Sequence, residues 1–80
     1  MSNETYETKL GTVSLDFDAA RWSATVYCDD VHCGFVFTFE DVPGWGFKAI
    51  RGSNGVMTYA NARQAAYECI LFHTRQGRWA

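Results

Sequence analysis

A two-residue alternation across residues 12–41 constrains this chain more than any other feature. In TVSLDFDAARWSATVYCDDVHCGFVFTFED, apolar side chains recur at Val13, Leu15 and Phe17, at Trp22, Ala24, Val26 and Cys28, and at Cys33, Phe35, Phe37 and Phe39. Period two is the mark of strands with one buried face. A four-residue turn at residues 18–21 sets Phe17 opposite Trp22, Leu15 opposite Ala24 and Val13 opposite Val26. A second at residues 29–32 sets Cys28 opposite Cys33, Val26 opposite Phe35, Ala24 opposite Phe37 and Trp22 opposite Phe39. All eleven side chains then share one face, and a slip of one residue would expose the whole set. The other face reads Thr12, Ser14, Asp16, Ser23, Thr25, Tyr27, Gly34, Val36, Thr38 and Glu40. It is mostly polar, as antiparallel sheets allow, and it is the natural candidate for a binding surface.

Pro43, Gly44 and Gly46 interrupt the alternation, and Asn54-Gly55 suits a hairpin turn, so a second hairpin is expected from about residue 47 to 59, with its inward face ambiguous. From Asn61 the period lengthens. Asn61 and Gln64 resemble a capping box, and Gly77 is a plausible helix stop. On a helical wheel Ala62, Ala65, Ala66, Cys69 and His73 form one stripe, flanked by Ile70 and Phe72. Small alanines let such a helix lie close to a sheet. The expected fold is α+β: an antiparallel sheet of four to five strands, made of an N-terminal three-stranded meander plus a hairpin, packed on one C-terminal helix. Residues 1–80 form a single domain, with 1–9 as a frayed N-terminus and 77–80 as a tail.

Eighty residues with 48% hydrophobic content and 13 aromatics are too apolar for a disordered chain. No run approaches a membrane span, and MSNETYETKL has no basic segment followed by an apolar one. A soluble intracellular protein with reduced thiols is expected. Charge is unevenly spread. Residues 1–41 carry a net −6 and residues 42–80 a net +4, an asymmetry that points to a charged partner.

Cys28, Cys33, Cys69 and His73 could together form a tetrahedral zinc site. They lack the tight C-x2-C spacing of strong zinc motifs, and buried thiols pack well as small hydrophobes. Packing is the preferred reading, with no cofactor expected. His32 falls on the opposite strand face from Cys28 and Cys33, which argues against a thiolate pair and against an enzyme. Lys48, Arg51, Arg63, Arg75 and Arg78, near Trp45, Phe47 and Trp79, could track a nucleic acid. Nine acids in so small a body argue against direct binding to one. Trp45, between two glycines, is either an exposed contact or a plug for the core.

Two resemblances follow. GFVFTFEDVPGW and TYANARQAAYECILFHTR resemble the HicB antitoxin domain over about residues 12–76, with the stretch GFKAIRGSNGV as an insertion and no appended DNA-binding segment. That likeness implies neutralisation of a small toxin RNase. The chain is also similar in size, acidity and expected architecture to small phage and prophage anti-CRISPR proteins, several of which block DNA binding by a type I Cascade complex. The residues that carry this likeness are Asp16, Asp18, Asp29, Asp30, Glu40 and Asp41. It implies a non-catalytic inhibitor in the bacterial cytoplasm whose carboxylates occupy a basic surface on a Cascade subunit; Trp45 is added as a contact candidate from its place between two glycines, and a monomer or homodimer is expected.

Overall fold

The computed structural model describes residues 3–50 and 58–79, with side chains as far as residue 74. Five antiparallel strands follow one another in a simple meander. They are β1 (Asn3–Thr8), β2 (Gly11–Phe17), β3 (Ser23–Cys28), β4 (Val31–Thr38) and β5 (Trp45–Ala49), in spatial order β1-β2-β3-β4-β5. One helix, α1 (Ala62–Trp79), lies across β3, β4 and β5. The α+β architecture expected from the alternation is therefore present.

The buried layer between sheet and helix contains Val13, Leu15, Phe17, Ala24, Val26, Cys28, Cys33, Val36, Phe47 and Ala49 from the strands. Ala62, Ala65, Ala66, Cys69 and Ile70 face them from the helix. The stripe read from the helical wheel is thus the packed one, and Phe72 adds its ring to Phe47 at 5.1 Å. Asn61 begins the helix as expected. Its Oδ1 accepts the Gln64 amide at 2.9 Å, while Gln64 Oε1 accepts the Ala60 amide at 3.1 Å. The first bond satisfies a backbone N–H that the first helical turn leaves without a partner, and the second ties down the residue that precedes the cap.

Three expectations are corrected, and one falls partly outside the described residues. Residues 3–8, expected to fray, form β1 along β2, with Tyr6 opposite Val13 and half-buried against the core. Gly77 does not stop the helix, which runs to Trp79. Of the second hairpin, β5 pairs with β4 and Tyr59 bridges Trp45, while the Asn54-Gly55 turn lies outside the described residues. Here Phe47 and Ala49 point inward and Lys48 outward, which settles the ambiguous face.

The third correction concerns register. Phe17 pairs with Ala24 rather than Trp22, a shift of two that keeps the inward parity but places Trp22 in the connecting loop, 66% exposed. At the next connection the turn has two residues, not four. Asp29 and Asp30 both take positive φ, 50° and 67°, as a type I′ hairpin requires, and Cys28 pairs with Val31. Between the Tyr27–His32 pair and the Val26–Gly34 pair, Cys33 is an extra residue, a β-bulge. Beyond it the parity of β4 inverts. Gly34 and Val36 turn inward, and Phe35, Phe37 and Phe39 leave the core; Phe35 and Phe39 are each 43% exposed.

Space explains the inversion. Gly34, with φ of 154°, is crowded by both β5 and the helix: a Cβ there would collide with the Lys48 carbonyl oxygen and sit 2.6 Å from Cys69 Sγ. A phenylalanine facing inward at that level would hold the alanine stripe off the sheet. The Cys33 carbonyl freed by the bulge accepts the Ile50 amide at 2.9 Å and the Cys69 thiol at 3.7 Å. The helix therefore fastens the bulge that makes room for it.

Candidate functional site: an aromatic sheet face with an acidic rim

The bulge builds the site. On the sheet face turned away from the helix, Tyr27, His32 and Phe35 pack in sequence, His32 tilted against Tyr27 at 5.4 Å and edge to face with Phe35 at 5.2 Å between ring centroids. Phe37 and Phe39 continue the band edge to face at 5.4 Å. Gly46 lies directly under the Phe39 ring, where a Cβ would come within 2.7 Å of it. The absence of a side chain at Gly46 is what lets this ring lie flat on the sheet. Aromatic rings facing solvent along one strand form an apolar patch of the kind that marks contact surfaces.

Carboxylates flank the band. Asp16 and Asp18 line a shallow depression with Phe35, Ser23 and Thr25. Glu40 joins Trp22, Thr38 and Phe39 around a second one at the same end of the sheet, and Asp41 follows it in the exposed β4–β5 loop. Asp18 is held firmly: Oδ1 accepts the Trp22 amide at 2.9 Å and Oδ2 the Ser23 hydroxyl at 3.3 Å. Partial loss of solvent works against its charge, but the bonds from Trp22, Ser23 and Arg21 prevail and hold its carboxyl below the usual range. Lys48, opposite Phe35, is the cation on this face among the described residues.

The six acids named from sequence do not converge. Asp16, Asp18, Glu40 and Asp41 gather at the end of the sheet that carries the β2–β3 and β4–β5 loops. Asp29 and Asp30 occupy the opposite end, roughly 20 Å away along a six-residue strand, beyond the ~8–10 Å over which exposed charges act together in salt. Asp29 has a local duty as well, since its Oδ1 accepts the Thr12 amide at 2.9 Å. Trp45 is half-buried on the helix side, its ring edge-on to Phe17 at 6.2 Å. Its backbone exchanges two 2.8 Å bonds with Tyr59. It is more wall than probe.

The cysteines pack. Cys28, Cys33 and Cys69 are free and buried, and among the described residues no three His, Cys, Asp or Glu side chains come together to hold a metal. The thiols point at carbonyls: Cys28 at Leu10, Cys33 at Val31, Cys69 at Cys33 and Lys48. Burial, helped by neighbouring Cys33 and opposed by the Phe35 amide, pushes the Cys69 thiol up to about 12. Phe47, offered as a base-stacking ring, is fully buried, and Arg63 is engaged with Glu4.

Sequence reasoning missed Phe35, Phe37 and Phe39 as surface residues, having assigned them to the core. The available signal was Gly34, a glycine inside a strand, which often marks a bulge. No protein-family model matches the chain, and neither a curated protein nor a solved structure does.

Proposed function

We propose that this protein is a non-catalytic inhibitor that docks the outer face of its sheet on a basic partner surface. One observation supports the reading above the others: exposed Phe35 and Phe39, with half-buried Phe37 between them, form an aromatic band on the outer face with Asp16, Asp18, Glu40 and Asp41 at its margin. Apolar centres with polar rims are the anatomy of protein interfaces. Exposed aromatics alone would also suit stacked bases. Four carboxylates against one lysine repel phosphates, however, and attract lysine and arginine. The chemistry favours a protein surface evolved to hold nucleic acid over the nucleic acid itself.

Within that class we favour an anti-CRISPR protein that blocks target DNA binding by a type I Cascade complex, with the acidic rim on lysines built for phosphate. A HicB-like antitoxin is the second reading, supported by the alanine-rich helix that follows the Pro-Gly turn and lies across the sheet. Capture of the tagged protein by purified type I Cascade subunits, set against capture by a HicA-like toxin, separates the two. Phe35→Ser and Phe39→Ser should each weaken the interaction by about 1–3 kcal/mol, the range of central interface aromatics. Both variants should keep the wild-type melting temperature within a few degrees. Capture of neither partner, or full binding by the double variant, would sink the proposal.

A further inference from the structure

A concavity with a volume near 810 Å³ lies on the opposite side, between the start of the helix and the loop end of the sheet. Its floor and one wall are aromatic: Phe17, Trp45, Tyr59 and Tyr67. The charges around it are arranged unequally. Glu4 bridges two guanidiniums, with Oε2 3.1 Å from Arg21 Nη2 and Oε1 3.3 Å from Arg63 Nε. Each arginine also lies over a ring, Arg21 on Phe17 at 4.2 Å and Arg63 on Tyr6 at 4.1 Å. The positive groups of the groove therefore already hold a carboxylate and an aromatic face each.

Glu68 differs. It lines the same groove, is half-buried, and makes no ion pair among the described residues. It shares that lining with Tyr59, whose phenol is raised above its ordinary value by burial first and the Glu68 charge second. A half-buried carboxylate in a groove lined by Trp and Tyr rings is a setting that attracts cations, and arginine uses it best because its planar guanidinium stacks on a ring while donating to a carboxylate.

We propose that this groove is a receptor for one arginine side chain of a protein partner, its guanidinium bonded to Glu68 and stacked among Trp45, Tyr59 and Tyr67. An anion is the weaker fit, because it would have to displace Glu4 from both arginines before gaining either. The site goes beyond the outer-face reading and stands without it, as it uses other residues on the other side of the sheet.

The test is a titration of the full-length, isotope-labelled protein followed by amide and indole NMR shifts. The probes are N-acetyl-arginine amide, its neutral citrulline isostere and N-acetyl-aspartate amide. Saturable shifts centred on Trp45, Tyr59 and Tyr67 are expected with the arginine probe. Binding should be about fivefold or more weaker for citrulline, and weaker by a similar factor in Glu68→Gln, as loss of a desolvated charge contact implies. Glu68→Gln keeps size and should leave the spectrum folded; Tyr67→Ala provides a second variant that removes a wall and leaves the charge. Absence of saturation, equal binding of citrulline, indifference to both variants, or preference for the aspartate probe would each overturn the assignment. None of these results would alter capture through Phe35 and Phe39.

Discussion

Cys69 shows how much one small side chain can settle. Its thiol sits fully buried under the helix, donating to the carbonyls of Cys33 and Lys48, and its pKa is raised from 9.0 to about 12. A thiol that holds its proton more tightly when folded makes the unfolded state lose that proton first. Stability is therefore unaffected below about pH 9 and falls as pH rises between 9 and about 12. Cys28, Cys33, Tyr6 and Tyr59, each also raised by burial, act in the same direction. Denaturant unfolding at stepped pH should show this alkaline loss, with a shallower slope in Cys69→Ala after its lower baseline stability is subtracted. At neutral pH iodoacetamide should label Cys69 only after unfolding. An identical slope in wild type and variant would show that Cys69 is not the titrating group.

Among the elements, the β3–β4 hairpin decides the character of the surface. Asp29 and Asp30 pay the cost of positive φ, a conformation that L-residues with short polar side chains tolerate and glycine adopts freely. Asp29 recovers part of it through its bond to the Thr12 amide, whereas the Asp30 side chain makes no hydrogen bond among the described residues. Asp30→Gly should therefore stabilise the protein by about 0.5–1 kcal/mol, read as a shift of the urea midpoint at constant slope. A destabilised variant would mean that the Asp30 carboxylate has a partner of its own. This hairpin also marks where the sequence stopped being legible. Alternation located β2, β3 and β4, and Asn61 with Gln64 located the helix start, because those signals are local. The turn was misread because Asp-Asp is not the residue pair that advertises a two-residue type I′ turn. The bulge was missed because its cause, the closeness of Cys69 and the alanines of α1, lies thirty and more residues along the chain. Of the candidate site, the acids at Asp16, Asp18, Glu40 and Asp41 were legible as a charge bias. The aromatic band they border could be recognised only once the parity of β4 was known.

For the molecule as a whole, the acids of the first half and the cations of the second are partly reconciled by the Arg21–Glu4–Arg63 network, which ties β1 to the β2–β3 loop and to the helix. What is left over is the carboxylate cluster at the loop end of the sheet. Charges of one sign on one end steer encounters, so the association rate with a basic partner should fall several-fold between ~50 and ~300 mM salt while dissociation changes little. Stopped-flow or surface-based kinetics would check this, and a rate indifferent to salt would remove the acidic rim from recognition. The bulge at Cys33 carries a last consequence, concerning how such a protein can change over time. Substitutions at Phe35, Phe37 or Phe39 alter the outer face one ring at a time. Loss of the single extra residue would instead exchange the inner and outer sets of the last half of β4, and oblige β5, paired with it from Gly34 to Thr38, to follow. For this sheet a change in length is a far larger evolutionary step than a change in letter, and relatives that keep the aromatic outer face should keep the spacing from Asp29 to Gly34 even where few residues agree.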